Sequence, residues 1–414
     1  MNIERITARA KAAAKITRNL STDIRNGVLL QFASNLRQQK EAILSANAID
    51  LAAAEKSGMK ASFVDRLRLS EKSIEGIAVG IEQTASLADP LNVVLEDRIL
   101  SSGVHLQKIS CAIGVIGIIF ESRPNVCADC AALTFKSGNA CILKGGKDSY
   151  HSCEAIVKAM HDALHQFGVS EDAVILLKHP DHKETQEWIS NRSSMDLLIP
   201  RGSARLIRSV VDHARVPVIE TGAGICHVYV DETADLSMAV DIIINAKCQR
   251  PSVCNAMETL LVQKSAAKKL LEMLWPQLKN NGVKVYGDET ACSIIPEFEK
   301  GNEENWNTEY NDLILNVVTV EDVQQAVSHI ETHGTHHSES IVSKDENAVS
   351  YFMNNVDSAC VYHNASTRFT DGFEFGLGAE IGISTQKMHA RGPMGLQALT
   401  TVVWHLYGNG EIRK

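Results

Sequence analysis

The stretch AIGVIGIIF (residues 112–120) decides the fold of this chain. It has the length of one strand and is rich in β-branched residues, which favour strands. Its apolarity is continuous rather than alternating, which predicts a strand buried on both faces, as in a parallel sheet. Short apolar segments and helical patterns then alternate as far as residue 219. We therefore predict a doubly wound α/β sheet.

Both sides of this region add further elements. Residues 2–88 predict helices, with Ser21-Thr22-Asp23 placed to cap one over about residues 23–39. Residues 93–109 predict an exposed hairpin, and residues 216–219 predict a further strand. A second α/β unit begins near residue 228 and includes a strand at Cys254, and residues 399–406 predict a final strand.

Composition restricts the classes of function. The 414 residues are 44% hydrophobic and 22% charged, as in ordinary globular proteins, and the length favours two or three domains. The net charge of -9 argues against a nucleic-acid or membrane-surface partner. Ten cysteines in so long a chain do not suggest a disulfide framework. With no signal-peptide pattern at the start, they favour a cytoplasmic protein.

The candidate nucleophile lies in QRPSVCNA (residues 249–256). Cys254 follows a polar, proline-broken approach and precedes an apolar run, which places its thiol at an exposed bend. Arg250 would favour the thiolate, the reactive form of cysteine. The alternative is a small apolar residue entering a core strand.

Two other clusters favour structural interpretations. Cys127 and Cys130 share one helix face in an apolar stretch, without a second pair at zinc spacing. The histidines between residues 329 and 337 match no zinc pattern either, so we expect no metal site.

Four stretches occur in one order along the chain: FESRPN (120–125), LKGGK (143–147), ETGAG (220–224) and Cys254. Together they resemble the aldehyde dehydrogenase superfamily. More narrowly, the chain is similar to the glutamate-5-semialdehyde dehydrogenase family through QRPSVCNA, FESRPNV (120–126), IPRGS (199–203) and GPMGL (392–396). The resemblance covers essentially the whole chain, and its motifs are longer than a single glycine fingerprint.

The resemblance implies an aldehyde dehydrogenase-like α/β fold, with two doubly wound domains and a small β oligomerisation flap. It implies an NADP-binding domain over residues 1–95, 111–228 and 361–395, and a catalytic domain over residues 229–360. The flap would comprise residues 96–110 and 396–414 and would pair across a subunit interface, because exposed apolar strand edges need covering.

The implied reaction is the NADPH-dependent reduction of L-γ-glutamyl 5-phosphate to L-glutamate 5-semialdehyde, the second step of proline synthesis, through a thioester on Cys254. The oxyanion would be bound by the Cys254 N–H and by a side chain in the turn after the buried strand. Ser122 stands where the family has an amide, and Asn125 is the alternative donor. Glu220 matches the water-activating glutamate of hydrolytic relatives. Since hydrolysis would waste the thioester, we expect it to be an acid/base or cofactor-loop residue.

The resemblance also implies a cofactor site without a G-x-G-x-x-G motif. Lys144 would contact the adenosine ribose, Gly202 and Ser203 would begin a helix near the pyrophosphate, and the glycine loop at Gly222 would approach the nicotinamide. Lys147 replaces a glutamate that is frequent in NAD-preferring relatives and therefore favours NADP. Glu309 resembles the glutamate that contacts the nicotinamide ribose.

The substrate carries a carboxylate and a phosphate, so we expect cations in its pocket. Arg123 and Arg250 flank the motif positions, and Ser384 and Arg391 lie in the glycine-rich C-terminal loop. A homo-oligomer and an association with glutamate 5-kinase are further expectations.

Two rival functions stay open. One is an NAD-dependent semialdehyde dehydrogenase that hydrolyses its ester through Glu220. The other is a catalytically silent binding or scaffold protein, which the presence of Cys254, Lys144 and the glycine loops disfavours.

Overall fold

The computed structural model describes residues 2–59, 61–178 and 180–413. The chain forms two compact units: residues 1–221, 376–382 and 394–414 form the first, and residues 222–375 and 383–393 form the second. The predicted domain ranges also contain Met1, Lys60, His179 and Lys414, which lie outside the described residues.

The first unit contains helices on a parallel sheet. Its helices are α1 (Ile3–Thr17), α2 (Thr22–Gln38), α3 (Lys40–Lys56), α4 (Ala61–Leu67), α5 (Glu71–Ser86), α6 (Pro124–Lys136), α7 (Tyr150–Gln166), α8 (His182–Ser190) and α9 (Ala204–His213). Its parallel strands are β3 (Val115–Phe120), β4 (Ala140–Lys144), β5 (Val174–Leu176) and β6 (Leu197–Arg201), in the order β5-β4-β3-β6. As predicted, the Ser21 hydroxyl caps α2, accepting a bond from the Ile24 N–H at 3.3 Å.

The first unit also holds a small antiparallel sheet of β1 (Val94–Ile99), β2 (His105–Ala112) and β16 (Thr400–Tyr407). β1 and β2 form the predicted hairpin, and β16 pairs with β2 from Thr400 opposite Ala112 to Tyr407 opposite His105. The hairpin and the last strand therefore pair with each other within one chain.

The second unit is built on a parallel sheet of seven strands. These are β7 (Cys226–Val230), β8 (Met257–Gln263), β9 (Lys284–Gly287), β10 (Glu299–Lys300), β11 (Ile314–Val320), β12 (Ser338–Val342) and β13 (Cys360–His363), in the order β10-β9-β11-β8-β7-β12-β13. Its helices are α10 (Leu236–Cys248), α11 (Lys264–Asn280), α12 (Glu289–Ile294), α13 (Glu303–Trp306), α14 (Val323–His333) and α15 (Glu346–Asn355), and β14 (Ile383–Ser384) pairs with β15 (Gly392–Pro393).

Both faces of this sheet are covered, which explains its continuously apolar strands. Val228 and Val230 of β7 pack into a core with α10 and α11. Tyr229, between them in sequence, packs on the opposite face with α14 and α15. The predicted α/β class, with helices packed on parallel sheets, is confirmed.

The stretch that decided the fold is divided between two sheets rather than forming one strand. β2 ends at Ala112 and β3 begins at Val115, with Gly114 between them at φ 134°. A Cβ atom at Gly114 would lie 2.3 Å from Asp196 Oδ2, the atom that accepts the Val115 N–H at 2.8 Å. Glycine is required because the backbone adopts a positive φ next to this carboxylate.

Three further expectations differ from the structure. Residues 216–219 form a single bridge, Val218 to Leu198, instead of a strand. Cys254 precedes β8 rather than lying on it. Residues 361–375 and 383–393 belong to the second unit, because β13 pairs with β12 in its sheet.

Candidate active site

Cys254 lies in the loop of residues 249–256, between the ends of α10 and β8. Its side chain is half-buried and forms no disulfide. The Cys254 carbonyl oxygen accepts a bond from Cys226 Sγ at 3.2 Å, and a Cβ atom at Gly224 would lie 1.5 Å from the same oxygen. The glycine loop that precedes β7 is therefore in direct contact with the backbone of the nucleophile, and only glycine fits there.

The residue after the nucleophile is fixed by the segment that follows β13. Asn255 is buried, and its Nδ2 donates to the carbonyl of Thr370 at 2.8 Å. The Thr367 hydroxyl donates to the Asn255 carbonyl at 2.7 Å. These bonds cross between distant parts of the sequence and hold the Cys254 loop in one conformation.

Arg368 connects both ends of this loop. Its Nε donates to Gln249 Oε1 at 3.0 Å, and its Nη1 donates to Asn255 Oδ1. Sequence reasoning missed Arg368, which lies 113 positions from Asn255 in a polar loop without periodicity. The quoted family motifs do not include this loop, so no spacing pattern indicated the contact.

The electrostatic setting of Arg368 places it near both Arg250 and the nucleophile. Burial lowers the pKa of Arg368, and the neighbouring Arg250 lowers it further. The carboxylate of Asp371 and the Cys254 thiolate raise the pKa of Arg368. Because a pairwise interaction acts equally on both partners, a cation that a thiolate stabilises also stabilises that thiolate. Arg368 is thus a second candidate cation for the Cys254 loop, beside Arg250, which the sequence indicated.

Two predicted cofactor residues lie next to this loop. Glu309 Oε1 accepts the Gly224 N–H at 2.9 Å. A Cβ atom at Gly222 would lie 2.6 Å from Thr385 Oγ1, so the chain passes that side chain closely. Cys254, Glu309 and the glycine loop therefore form one cluster within the second unit.

The C-terminal candidates, Ser384 and Arg391, lie in the same unit. Arg391 forms an ion pair with Asp357 at 2.8 Å, and Lys387 pairs with the same carboxylate at 2.6 Å. The hydrogen bonds from Lys387 and Arg391 lower the pKa of Asp357 to about 2. Ser384 is fully buried on β14, and its hydroxyl accepts the Gln386 N–H at 3.4 Å. The charge of Arg391 is already matched by a carboxylate, which weakens its candidacy as a substrate ligand.

In the first unit, the turn after β3 holds the two candidate oxyanion donors. Ser122 is buried with φ 34°, and its hydroxyl donates to Asp148. Asn125 lies on the first turn of α6, where its side chain bonds to Asp129. Burial raises the pKa of Asp129 to about 6, against the opposing effects of Arg201 and this bond. Arg123 is the N-cap residue of α6.

The predicted cofactor residues of the first unit meet at one carboxylate. Glu121 Oε2 accepts the Ser203 N–H at 2.7 Å, and the Ser203 hydroxyl donates to Glu121 Oε1 at 3.2 Å. A Cβ atom at Gly202 would lie 2.5 Å from Glu121 Oε2. The N-terminus of α9, where a phosphate group was expected, thus already holds a negative charge.

Lys144 is near this carboxylate, and Lys147 is near Lys144. Burial lowers the pKa of Lys144, whereas Glu121 and Asp148 raise it. Lys147 is exposed on a short 3₁₀ turn that follows β4, and its charge also lowers the pKa of Lys144. Glu220 is half-buried in the segment after the Val218 bridge. The N–H and hydroxyl of Ser203 and the side chains of Lys144 and Lys147 suit the phosphates of a nicotinamide dinucleotide. The cofactor would have to displace the Glu121 carboxylate from Ser203.

Two of the histidines noted in the sequence, His329 and His333, are half-buried and form a cluster with the buried His227. The rings of His329 and His333 have centroids 4.4 Å apart, and His329 lies 5.6 Å from His227. His227 Nδ1 is 3.0 Å from Glu339 Oε2. Among residues 2–59, 61–178 and 180–413, no three His, Cys, Asp or Glu side chains are arranged to hold a metal ion. Within the same ranges, no helix has both the length and the apolarity to span a bilayer.

Comparison with known proteins identifies the family. Residues 1–294 match the model of the aldehyde dehydrogenase family. The γ-glutamyl phosphate reductase of Caldanaerobacter subterraneus subsp. tengcongensis is 47% identical over 414 residues, which cover 100% of both chains. That of Carboxydothermus hydrogenoformans is 49% identical and covers 99% of this chain and 98% of its own.

Solved structures agree with these relatives. The crystal structure of γ-glutamyl phosphate reductase from Thermotoga maritima is 42% identical, covers 100% of both chains and has a TM-score of 0.97. An acetylating aldehyde dehydrogenase from Geobacillus thermoglucosidasius, at 16% identity and a TM-score of 0.70, shares the fold. The resemblance seen in the sequence motifs is thereby confirmed, and the chain belongs to the aldehyde dehydrogenase family and, within it, to the γ-glutamyl phosphate reductases.

Proposed function

We propose that this protein catalyses the NADPH-dependent reduction of L-γ-glutamyl 5-phosphate to L-glutamate 5-semialdehyde and phosphate, with Cys254 as nucleophile. The observation that carries the proposal is the setting of Cys254, half-buried in a loop held from both sides and next to two arginines. The full-length relatives at 47% and 49% identity carry the same name, which supports this substrate.

In the first step the protein positions the Cys254 thiolate for attack on the substrate. The Cys254 thiolate attacks the acyl carbonyl, an S–C bond forms, and the bond to the phosphate oxygen breaks as phosphate leaves with the electron pair. The loop bonds at Asn255 and the contact with Gly224 fix the angle of attack. The backbone N–H of Cys254 is the proposed first oxyanion donor.

For the second oxyanion donor we retain Ser122 and Asn125 as the candidates. The Ser122 hydroxyl is engaged with Asp148, and the Asn125 side chain with Asp129. Substituting each in turn by alanine and comparing kcat tests them. Replacing the true donor should lower kcat roughly a hundredfold to a thousandfold.

The cofactor, when bound, supplies the hydride that reduces the thioester. Lys144, Lys147, Gly202 and Ser203 are the proposed ligands of its adenosine half, and Gly222 and Glu309 of its nicotinamide half. The exposed cation at Lys147 supports NADP, because a 2′-phosphate gains a charge-assisted bond there. Lys147→Glu should shift the ratio of kcat/KM from NADP toward NAD.

A chemical trapping experiment tests the reaction itself. Incubated with γ-glutamyl phosphate and no cofactor, the protein should gain one γ-glutamyl group on the peptide that contains Cys254, detected by mass spectrometry. Acylation elsewhere, or none with intact substrate, would contradict the proposal. Added NADPH should discharge the acyl group as the semialdehyde. Release as free glutamate would instead indicate hydrolysis and a water-activating role for Glu220.

We also propose that the sheet of β1, β2 and β16 is a contact between subunits. It exposes large apolar side chains on both edge strands: Val94, Leu95, Ile99, Val402, Trp404, Leu406 and Tyr407. Apolar edge strands are usually covered. Leu95→Lys and Leu406→Lys should lower the oligomeric state in sedimentation experiments. The association with glutamate 5-kinase and the cytoplasmic location stay predictions.

A further inference from the structure

Arg368 is attached to the nucleophile loop by neutral partners only. Its two side-chain bonds go to the amide oxygens of Gln249 and Asn255, one on each side of Cys254. A guanidinium has five N–H groups, so three are left for other acceptors. No carboxylate of the described residues forms a salt bridge with Arg368, and Asp371 acts on it only at longer range.

Such an arrangement costs free energy in the absence of an anion. A half-buried cation loses hydration, and the charge of Arg250 adds repulsion. Neutral side chains could hold the loop ends without that cost. Elsewhere in the second unit, the cations Lys247, Lys387 and Arg391 are each paired with a carboxylate. The position of Arg368 therefore indicates a site for an anion that enters from outside.

We propose that Arg368, together with Arg250, binds the phosphoryl group of the acyl phosphate next to Cys254, and inorganic phosphate in the reverse reaction. This inference rests on the proposed function and adds a substrate residue to it. The planar fork of an arginine matches phosphate oxygens, and two cations compensate a dianion. As the S–C bond forms and the C–O bond to phosphate breaks, negative charge grows on the leaving phosphate, where both cations stabilise it.

Phosphate affinity is the property that separates this role from a purely structural one. In the oxidative direction, with glutamate 5-semialdehyde and NADP, Arg368→Gln should raise the KM for inorganic phosphate roughly tenfold to a hundredfold. The KM for NADP should change less than threefold or so. Arg368→Lys keeps the positive charge but loses the planar pair of N–H donors. Its KM for phosphate should lie between those of the unsubstituted protein and Arg368→Gln. The matched control is Lys344→Gln, at an exposed lysine of the same unit, which should leave all constants unchanged.

A second readout does not depend on turnover. Phosphate should slow the alkylation of Cys254 by iodoacetamide in the unsubstituted protein, and this protection should be lost in Arg368→Gln. If that variant does not fold, the unsubstituted protein still gives an answer, because phosphate should block the labelling of Arg368 by phenylglyoxal.

The outcomes distinguish this inference from the proposed function. Phosphate-dependent turnover that persists in Arg368→Gln with an unchanged phosphate KM would overturn the inference alone. Labelling of Arg368 that phosphate does not affect would do the same. An unsubstituted protein with neither phosphate-dependent turnover nor phosphate protection would instead contradict the proposed function.

Discussion

Near Glu121, in the turn after β3, groups expected to bind phosphates already face carboxylates of the same chain, whereas at the Cys254 loop Arg368 is held by amides. Glu121 accepts the Ser203 N–H at 2.7 Å, and Asp148 lies beside Lys144. Arg368 instead bonds to Gln249 and Asn255. A site that internal carboxylates neutralise can be stable without a ligand, and its ligand must displace them. A cation held by neutral groups is not neutralised by the protein, so its full charge can act on the reacting anion.

The largest effect is expected from a substitution that removes the nucleophile from the Cys254 loop and leaves the turn after β3 unchanged. Cys254→Ser should lower turnover by at least about a thousandfold, because a hydroxyl at this position has no base shown to activate it. NADPH affinity, measured by fluorescence titration, should change by no more than a few-fold. Lost cofactor binding or lost folding would mean that Cys254 is structural, and the comparison would fail.

The next prediction concerns the buried ion pair that joins the two ends of the nucleophile loop. Lys247, at the end of α10, pairs with Glu258 of β8 at 2.7 Å, and both are almost completely buried. Lys247→Met should lower the free energy of unfolding by about 3–5 kcal/mol, because it leaves a buried carboxylate unpaired.

Urea denaturation measures this change. The double variant Lys247→Met/Glu258→Leu should recover most of the loss, since no unpaired charge remains. The control in the first unit is Lys158→Met, which breaks an exposed pair with Asp162 and should cost below about 1 kcal/mol. Equal losses for Lys247→Met and Lys158→Met would refute the ion-pair argument.

Gly224 offers a third test, with Gly202 as its counterpart in the first unit. At Gly224 a Cβ atom would meet the backbone oxygen of Cys254 at 1.5 Å, so the loop must move. Gly224→Ala should lower kcat roughly a hundredfold through misplacement of the thiol. At Gly202 the close atom is a carboxylate oxygen of Glu121, which can rotate away. Gly202→Ala should therefore mainly raise the KM for NADPH, and the reverse pattern in steady-state kinetics would contradict the assignment.

Two groups, one in each unit, should contribute to stability with opposite dependences on pH. Burial lowers the pKa of His337 in the second unit to about 4. Between pH 4 and about 6.5 the unfolded chain binds the extra proton, so this group's contribution to stability falls as the pH falls. Burial raises the pKa of Asp129 in the first unit to about 6. There the folded chain binds the extra proton, so the contribution falls as the pH rises from about 4 to 6.

Substitution of His337 and of Asp129 should reveal how each contributes to the pH dependence of the free energy of unfolding. His337→Asn should make the loss of stability on acidification shallower by up to ~1.4 kcal/mol per pH unit, and Asp129→Asn should change the slope in the opposite sense. Unfolding free energies from pH 4 to 7 check this, with exposed His182→Gln as the control. A slope that His337→Asn leaves unchanged would mean that the imidazole titrates normally.

The smallest expected effect concerns Glu121. Glu121→Gln removes the negative charge from the N-terminus of α9 and should tighten NADP(H) binding about twofold to fivefold. Calorimetric titration measures it, with exposed Glu187→Gln on α8 as the control. Weaker binding in Glu121→Gln would show that the carboxylate contacts the cofactor rather than competing with it.

The sequence indicated the fold class because burial on both sides of a parallel sheet leaves a continuous apolar pattern, as in residues 112–120. It did not locate the break at Gly114, which depends on Asp196 from a distant segment. Motif resemblance indicated Cys254, Glu309 and Ser203 as candidates, but not the contacts of Glu309 with Gly224 and of Ser203 with Glu121, which lie 85 and 82 positions away. It could not indicate Arg368 or Glu121, whose roles come from contacts across 113 and 82 positions.

The central claim is that Cys254 exchanges an acyl group with phosphate, and the most direct measurement is the reduction of NADP by glutamate 5-semialdehyde with and without inorganic phosphate. We predict turnover that requires phosphate and is faster with NADP than with NAD. Turnover with NAD that proceeds equally well without phosphate would contradict the account and assign Glu220 the task of activating water.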